Sequence, residues 1–127
     1  MNIMFKSTRG DKNYVTASQA IVQGIANDGG LFVPETIPTI DFPLEKITEM
    51  SYQELAYEVL KLILTDYTEE ELKYCINSAY DEKFDTKLIA PLVSAGNGNF
   101  LELFHGKTIA FKDMALSILP HLLTTSA

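Results

Sequence analysis

Residues 100–116 read FLELFHGKTIAFKDMAL and set Lys112 between Phe111 and Asp113. A lysine amine is almost wholly protonated at neutral pH. Burial among Ile109, Ala110, Phe111 and Met114 would disfavour the ammonium and leave a free amine. A free amine attacks a carbonyl carbon and forms an imine, which is how lysines hold an aldehyde cofactor. The competing reading is a surface lysine whose stem covers apolar neighbours. Residue types alone leave both open.

The same stretch holds other polar groups. His105, in FHGKT, suits a general acid or base, a donor to a phosphate, or a hydrogen-bonding loop residue. Asp113 fits a helix N-cap, the reading we expect, or a partner that orients Lys112. Ser7-Thr8-Arg9-Gly10 offers hydroxyls and a guanidinium to an anion, although a polar turn is the simpler reading. Gly96 to Asn99 is too short and unpatterned for a phosphate loop and reads as a turn. His121 lies far along the chain from His105, and no Cys/His spacing suits a metal. No serine sits in a nucleophile elbow, and no carboxylate pair has a setting that would separate its protonation states.

The elements that must position these residues follow from local pattern. YVTA (14–17) reads as a strand, and Ser18 as the cap of a helix through AIVQGIAN with Ala20, Ile21 and Ile25 on one face. Gly24 weakens that helix, and Asn27-Asp28-Gly29-Gly30 ends it. LFVP is a short strand stopped by Pro34, and the stretch with Pro38 and Pro43 is a rigid loop. Ser51-Tyr52-Gln53-Glu54 and Thr68-Glu69-Glu70-Glu71 are capping boxes. The first opens a helix over YQELAYEVLKLIL, with Leu55, Val59, Leu62 and Ile63 at helical spacing. The second opens EEELKYCINSAYDE, with Leu72, Ile76 and Ala79. Only Thr65-Asp66-Tyr67 divide the two, which predicts an antiparallel helical hairpin. FLELF reads as a strand, HGKTIAF as a loop, and MALSILPHLL as a helix that kinks or ends near Pro120.

The chain has 127 residues, with 46% apolar and 21% charged residues, ordinary values for a globular protein. Seventeen acidic against 10 basic residues give a net charge of −7. That balance, with no basic patch, argues against nucleic-acid binding. Cys75 is the sole cysteine. It allows no internal disulfide, reads as a small core residue, and points to a reducing compartment. No apolar run reaches the length of a membrane span, and MNIMFKSTRGDK lacks a signal-peptide apolar region. A cytoplasmic protein is expected. The chain ends at HLLTTSA without a charged tail, which reads as the cut end of something longer.

FLELFHGKTIAFKD resembles the signature of the threonine synthase family, an HGPT-x-AFKD run that carries the lysine of pyridoxal 5'-phosphate (PLP). STRG (7–10), the helix and turn of AIVQGIANDGGLFVPE (20–35), and Pro38 resemble that family's opening. The likeness spans nearly the whole chain, in order. It implies an α/β protein of PLP fold type II, with α+β character in this segment. A mainly helical N-terminal domain with short strands, residues 1–90, would precede the first strand and helix of the large PLP-binding domain, residues 91–127. It implies a lyase that converts O-phospho-L-homoserine and water to L-threonine and phosphate. Lys112 would hold PLP and move protons, Phe111 and Asp113 would flank the cofactor, and His105 and Thr108 would face substrate. Two departures stand out: Lys107 replaces the usual proline, and Ile109 the usual leucine.

The family's Gly- and Ser-rich phosphate cradle and the group that meets the pyridine nitrogen follow this stretch. The segment alone is therefore expected to be inactive, and Leu101, Leu103, Leu116 and Leu119 to lack partners and drive self-association. Two other readings stay open: a related PLP protein acting on another phosphorylated or hydroxy amino acid, and a non-catalytic interaction module made of the helical hairpin, Ser51 to Asp81.

Overall fold

Both capping boxes form as their sequences require. In the computed structural model, which describes residues 2–127, Ser51 Oγ accepts from the Glu54 amide while the Glu54 carboxylate accepts from the Ser51 amide at 2.7 Å. Thr68 and Glu71 repeat the arrangement. These boxes satisfy amides that the first helical turn leaves without partners. They start α2 (Tyr52–Leu60) and α3 (Glu69–Ala79). The helices run antiparallel: Tyr52 at the start of α2 meets Tyr80 at the end of α3, with ring centroids 4.9 Å apart. The link between them is longer than the sequence suggests, because α2 ends at Leu60 and residues 61–68 form turns.

Helix α3 is the hub of the core. Leu72, Cys75, Ile76 and Ala79 recur at helical spacing and are almost fully buried. Tyr52, Ala56 and Leu60 of α2 pack against them, whereas Val59 faces out. The other contributors are α1 (Ala17–Gln23), through Ala17 and Ala20, and α5 (Leu119–Ser126), through Leu122, with Ile118 just before it. Small residues on α1 let α5 approach closely, and α5 touches both α1 and α3. Pro120 falls in the first turn of α5, where its missing amide costs nothing. The preceding helix, α4 (Asp113–Leu116), is a single turn, so the chain breaks ahead of the proline as expected.

The N-terminal region departs from the expected pattern. Residues 14–17 form no strand; Val15 makes one bridge to Phe5. The strand is β1 (Phe5–Ser7), paired antiparallel with β2 (Phe32–Pro34). Thr16, not Ser18, caps α1, through a capping box with Gln19. The reason is tertiary: Ser18 Oγ and its amide both donate to Asp66 Oδ2, at 2.6 and 3.1 Å, and so tie α1 to the α2–α3 link. The helix ends at Gly24, whose φ of 76° is cheap only for glycine. Ile25 therefore leaves the apolar face and is exposed. A 3-10 turn over Leu44–Glu49 interrupts the proline-containing loop.

A second two-stranded sheet, β3 (Leu92–Ala95) with β4 (Gly98–Leu101), stands largely exposed on both faces. Gly96 turns the hairpin with φ of 58°. FLELF is thus strand only as far as Leu101. Leu101, Leu116 and Leu119 are exposed and Leu103 is half-buried.

Two substitutions test this account. Thr68→Ala should lower stability by about 1 kcal/mol through loss of the cap. Gly30→Ala should cost about 2 kcal/mol, because its methyl would overlap Ser7 Oγ and press on the Arg9 amide. Urea-unfolding midpoints measure both, and an unchanged midpoint for Gly30→Ala would show that the β1–β2 corner yields freely.

Candidate functional site

Residues 102–113 connect β4 to α4 and contain every polar group that the motif brings forward. The loop is fixed from the inside by Asp113, which is buried. Its Oδ2 accepts from the Thr108 amide at 2.7 Å, and its Oδ1 accepts from Thr108 Oγ1 at 2.6 Å. Hydrogen bonds to an ionised acceptor are about twice as strong as neutral ones. Gly106 lies directly beneath: a methyl there would come within 2.5 Å of the Asp113 side chain. Asp113 is therefore not the helix cap. Lys112 holds that position and makes no side-chain cap bond. The aspartate reaches upstream to the loop, and its bonds go to Thr108, not to Lys112.

The clamp coincides with an unusual backbone. Ile109 has φ of 67°, a region where a β-branched residue is a genuine outlier. Its amide donates to the Gly106 carbonyl at 3.1 Å, and the Asp113 amide to the Ala110 carbonyl at 3.1 Å. Tyr80 at the end of α3 holds the next turn, its hydroxyl donating to the Met114 carbonyl at 2.6 Å. Burial, with Tyr52 nearby, pushes the Tyr80 phenol well above its ordinary range and keeps it a neutral donor.

Lys112 itself is exposed, and so are Ile109, Ala110 and Phe111. This corrects the expectation that apolar neighbours bury the amine. With Asp113 turned into the core, the roughly 100° step per residue of a helical turn carries positions 112 and 111 outward. The structure presents the amine at the surface, on a loop anchored behind it. Phe111, the residue before it, is 66% exposed.

His105 is bracketed by two carboxylates. Nδ1 lies 2.5 Å from Asp85 Oδ1, and Nε2 lies 2.7 Å from Glu102 Oε2. The ring stacks on Phe104 with centroids 4.5 Å apart. Glu102 first, and Asp85 second, raise the His105 pKa above the ordinary histidine value. Both ring nitrogens thus donate, so the imidazolium is the form the bracket selects. The donors that the motif assigned to substrate, on His105 and Thr108, are already engaged within the chain. Sequence reasoning missed Asp85 and Glu102. Glu102 stands three residues before His105, a spacing open to notice, whereas Asp85 is 20 residues away and carried no signal.

Ser7 is buried, whereas Thr8 and Arg9 are exposed and bond back onto the turn at Asp28–Leu31. Ser7 Oγ donates to Asp28 Oδ1 at 2.6 Å, Arg9 Nη1 to the Asp28 carbonyl at 3.2 Å, and Thr8 Oγ1 accepts from the Leu31 amide at 3.0 Å. The Ser7 bond and the Gly30 amide hold the Asp28 carboxyl below its usual range. With the Asp28 carboxylate at its centre, this corner is held together as a structural knot. None of these bonds reaches residues 102–113. Among the described residues no group of His, Cys, Asp and Glu is arranged to hold a metal, and no helix is long and apolar enough to cross a membrane.

Because the folded-state pKa of His105 lies above its unfolded value, the bracket stabilises the fold fully below the ordinary histidine range. That contribution is lost as pH rises through the folded value. Urea midpoints should therefore fall on raising the pH through and above the ordinary histidine range, and His105→Asn should flatten the decline. An equal decline in both proteins would place its origin elsewhere.

Residues 4–80 match the family model described as threonine synthase N terminus. The threonine synthase of Schizosaccharomyces pombe is 40% identical over 124 residues, covering 94% of this chain and 24% of that protein. The PLP-bound threonine synthase of Brucella melitensis superposes with a TM-score of 0.86 at 33% identity, over 98% of this chain and 27% of that one. The yeast threonine synthase structure gives 0.88 at 34% identity, over 98% and 26%. The chain spans about a quarter of the length of these relatives. With a matched family model over more than half its residues and the same fold over nearly all of them, the chain belongs to the threonine synthase family, of whose members it represents the N-terminal part.

Proposed function

We propose that this chain forms the N-terminal quarter of a PLP-dependent threonine synthase, a cytoplasmic lyase that converts O-phospho-L-homoserine and water to L-threonine and phosphate. Lys112 is its cofactor lysine. The observation that carries this reading is an exposed amine on a loop whose backbone is fixed from the buried side by Asp113. Such a loop spends no ordering entropy when a ligand arrives.

The residues present fit the cofactor in part. The exposed Lys112 is accessible for a covalent bond to an aldehyde, and the neighbouring Phe111 is an exposed apolar residue. When bound, the cofactor supplies an electron sink for carbanions formed next to the substrate amino group. Lys112 Nζ would take a proton from one substrate carbon and return it to another as general base and acid. Asp113 acts on this amine through the backbone, by holding residues 106–112 in place. Thr108 and His105, whose donors are taken up by carboxylates of the chain, keep the loop beside the amine in shape rather than donating to substrate. Lys107, exposed next to them, adds a cation suited to a substrate phosphate. Residues 91–127 start the larger α/β domain, and the exposed hairpin β3–β4 is the edge on which it grows.

A chimaera tests the assignment. This chain replaces the corresponding quarter of the S. pombe enzyme. The chimaera should release phosphate from O-phospho-L-homoserine, and Lys112→Ala should lower kcat about 1,000-fold or more. A folded Lys112→Ala chimaera of undiminished rate would overturn it. The 127-residue chain by itself exposes Leu92, Phe100, Leu101, Phe111 and Leu116, and apolar surface on that scale associates. Sedimentation should show oligomers; a monomer at high concentration would contradict this.

A further inference from the structure

We infer that Asp85 and Glu102 are positioning residues for the lysine loop, acting through His105 as a carboxylate–imidazolium–carboxylate latch. The inference rests on the reading of Lys112 as the functional amine and adds residues that the motif does not contain.

Two segments meet at this ring, the turn after α3 and the start of the loop after β4. Asp85 belongs to the turn after α3, Glu102 follows β4, and His105 opens the loop that leads to Lys112. Asp85 engages His105 twice: its amide donates to the His105 carbonyl at 3.1 Å while its carboxylate takes Nδ1. Glu102 takes Nε2 from the other side, and its own amide is held by the Pro91 carbonyl at 2.9 Å. The ring is therefore fixed in position and in plane. Immediately after it come Gly106, pressed against Asp113, and Thr108, held by the same carboxylate. The latch secures the start of the loop and Asp113 secures its end. Between these anchors sits Ile109 in the left-handed region.

Charge decides how the latch works. Asp85 and Glu102 are the charged groups that face the ring. Two carboxylates around a cation attract on both sides. Loss of one ring proton leaves a lone pair aimed at a carboxylate, so one side must open. The start of the loop, left with one carboxylate contact and the Asp85 amide, then samples more conformations, and the strained turn is the first part released.

The experiment uses the 127-residue chain without cofactor, and so is independent of whether Lys112 carries one. The nitrogen resonances of His105 are followed by NMR as a function of pH in the native chain, Asp85→Asn and Glu102→Gln. Amide exchange is read at Thr108 and Ile109, with Cys75 and Ile76 of α3 as controls. Both ring nitrogens should carry protons at neutral pH in the native chain, and each substitution should move the titration down toward the ordinary histidine value. Exchange at Thr108 and Ile109 should rise about tenfold in either variant, leaving α3 unchanged. In the native chain the same rise should follow His105 deprotonation. In the chimaera, each substitution should shift the basic limb of the kcat/KM profile to lower pH. An unshifted His105 titration would overturn the latch. A shifted titration with unaltered loop exchange would show a surface ion pair that positions nothing.

Discussion

A buried carboxylate facing backward along its own chain is the constraint on which the site depends. Asp113 could have capped α4. It instead accepts both the amide and the hydroxyl of Thr108, five residues upstream. Hydrogen bonds to charged groups contribute about 1.5–3 kcal/mol each. A residue held in a sparsely populated backbone region costs about 1–3 kcal/mol. These magnitudes are similar, so the clamp can hold Ile109 in a conformation that an isoleucine would otherwise leave. Gly106 makes the arrangement possible, since any side chain there would meet Asp113. The outward display of Phe111 and Lys112 is the geometric consequence.

The remainder of the fold supplies the platform. Helix α3 contributes the most deeply buried residues and ends in Tyr80, whose hydroxyl holds the first turn of α4. Helix α5 packs on α1 and α3, so the segment that follows the lysine is secured by the same core as the N-terminal helices. The two non-glycine residues with positive φ, Ile89 and Ile109, flank the exposed β3–β4 hairpin and the loop that follows it, while Leu72, Cys75, Ile76 and Ala79 of α3 are well packed. The lysine loop thus leaves the exposed β3–β4 hairpin at one end and joins the packed helices at the other.

Local signals in the sequence were read well where the chemistry is local. Capping boxes bond within four residues, and both at Ser51 and Thr68 form as read. The helical period of Leu72, Ile76 and Ala79 marked the core face for the same reason. Legibility failed where one side chain had more than one possible partner, near or far. Ser18 gave up its capping role to Asp66, 48 residues away. Asp113 turned to Thr108, and the motif alone had no means of showing which of two polar partners it would choose. The family motif located the loop and its lysine. It did not reveal that the lysine is exposed in this chain, or that His105 is bracketed, because Asp85 is remote in sequence.

The backbone angle at Ile109 is the most direct test of the clamp. Three-bond couplings measured by NMR in the native chain should report φ near the 67° seen here. In Asp113→Ala, with the core amides of α3 still protected, Ile109 should relax to a negative φ. A negative φ in the native chain, or a positive one that persists without the carboxylate, would contradict the account.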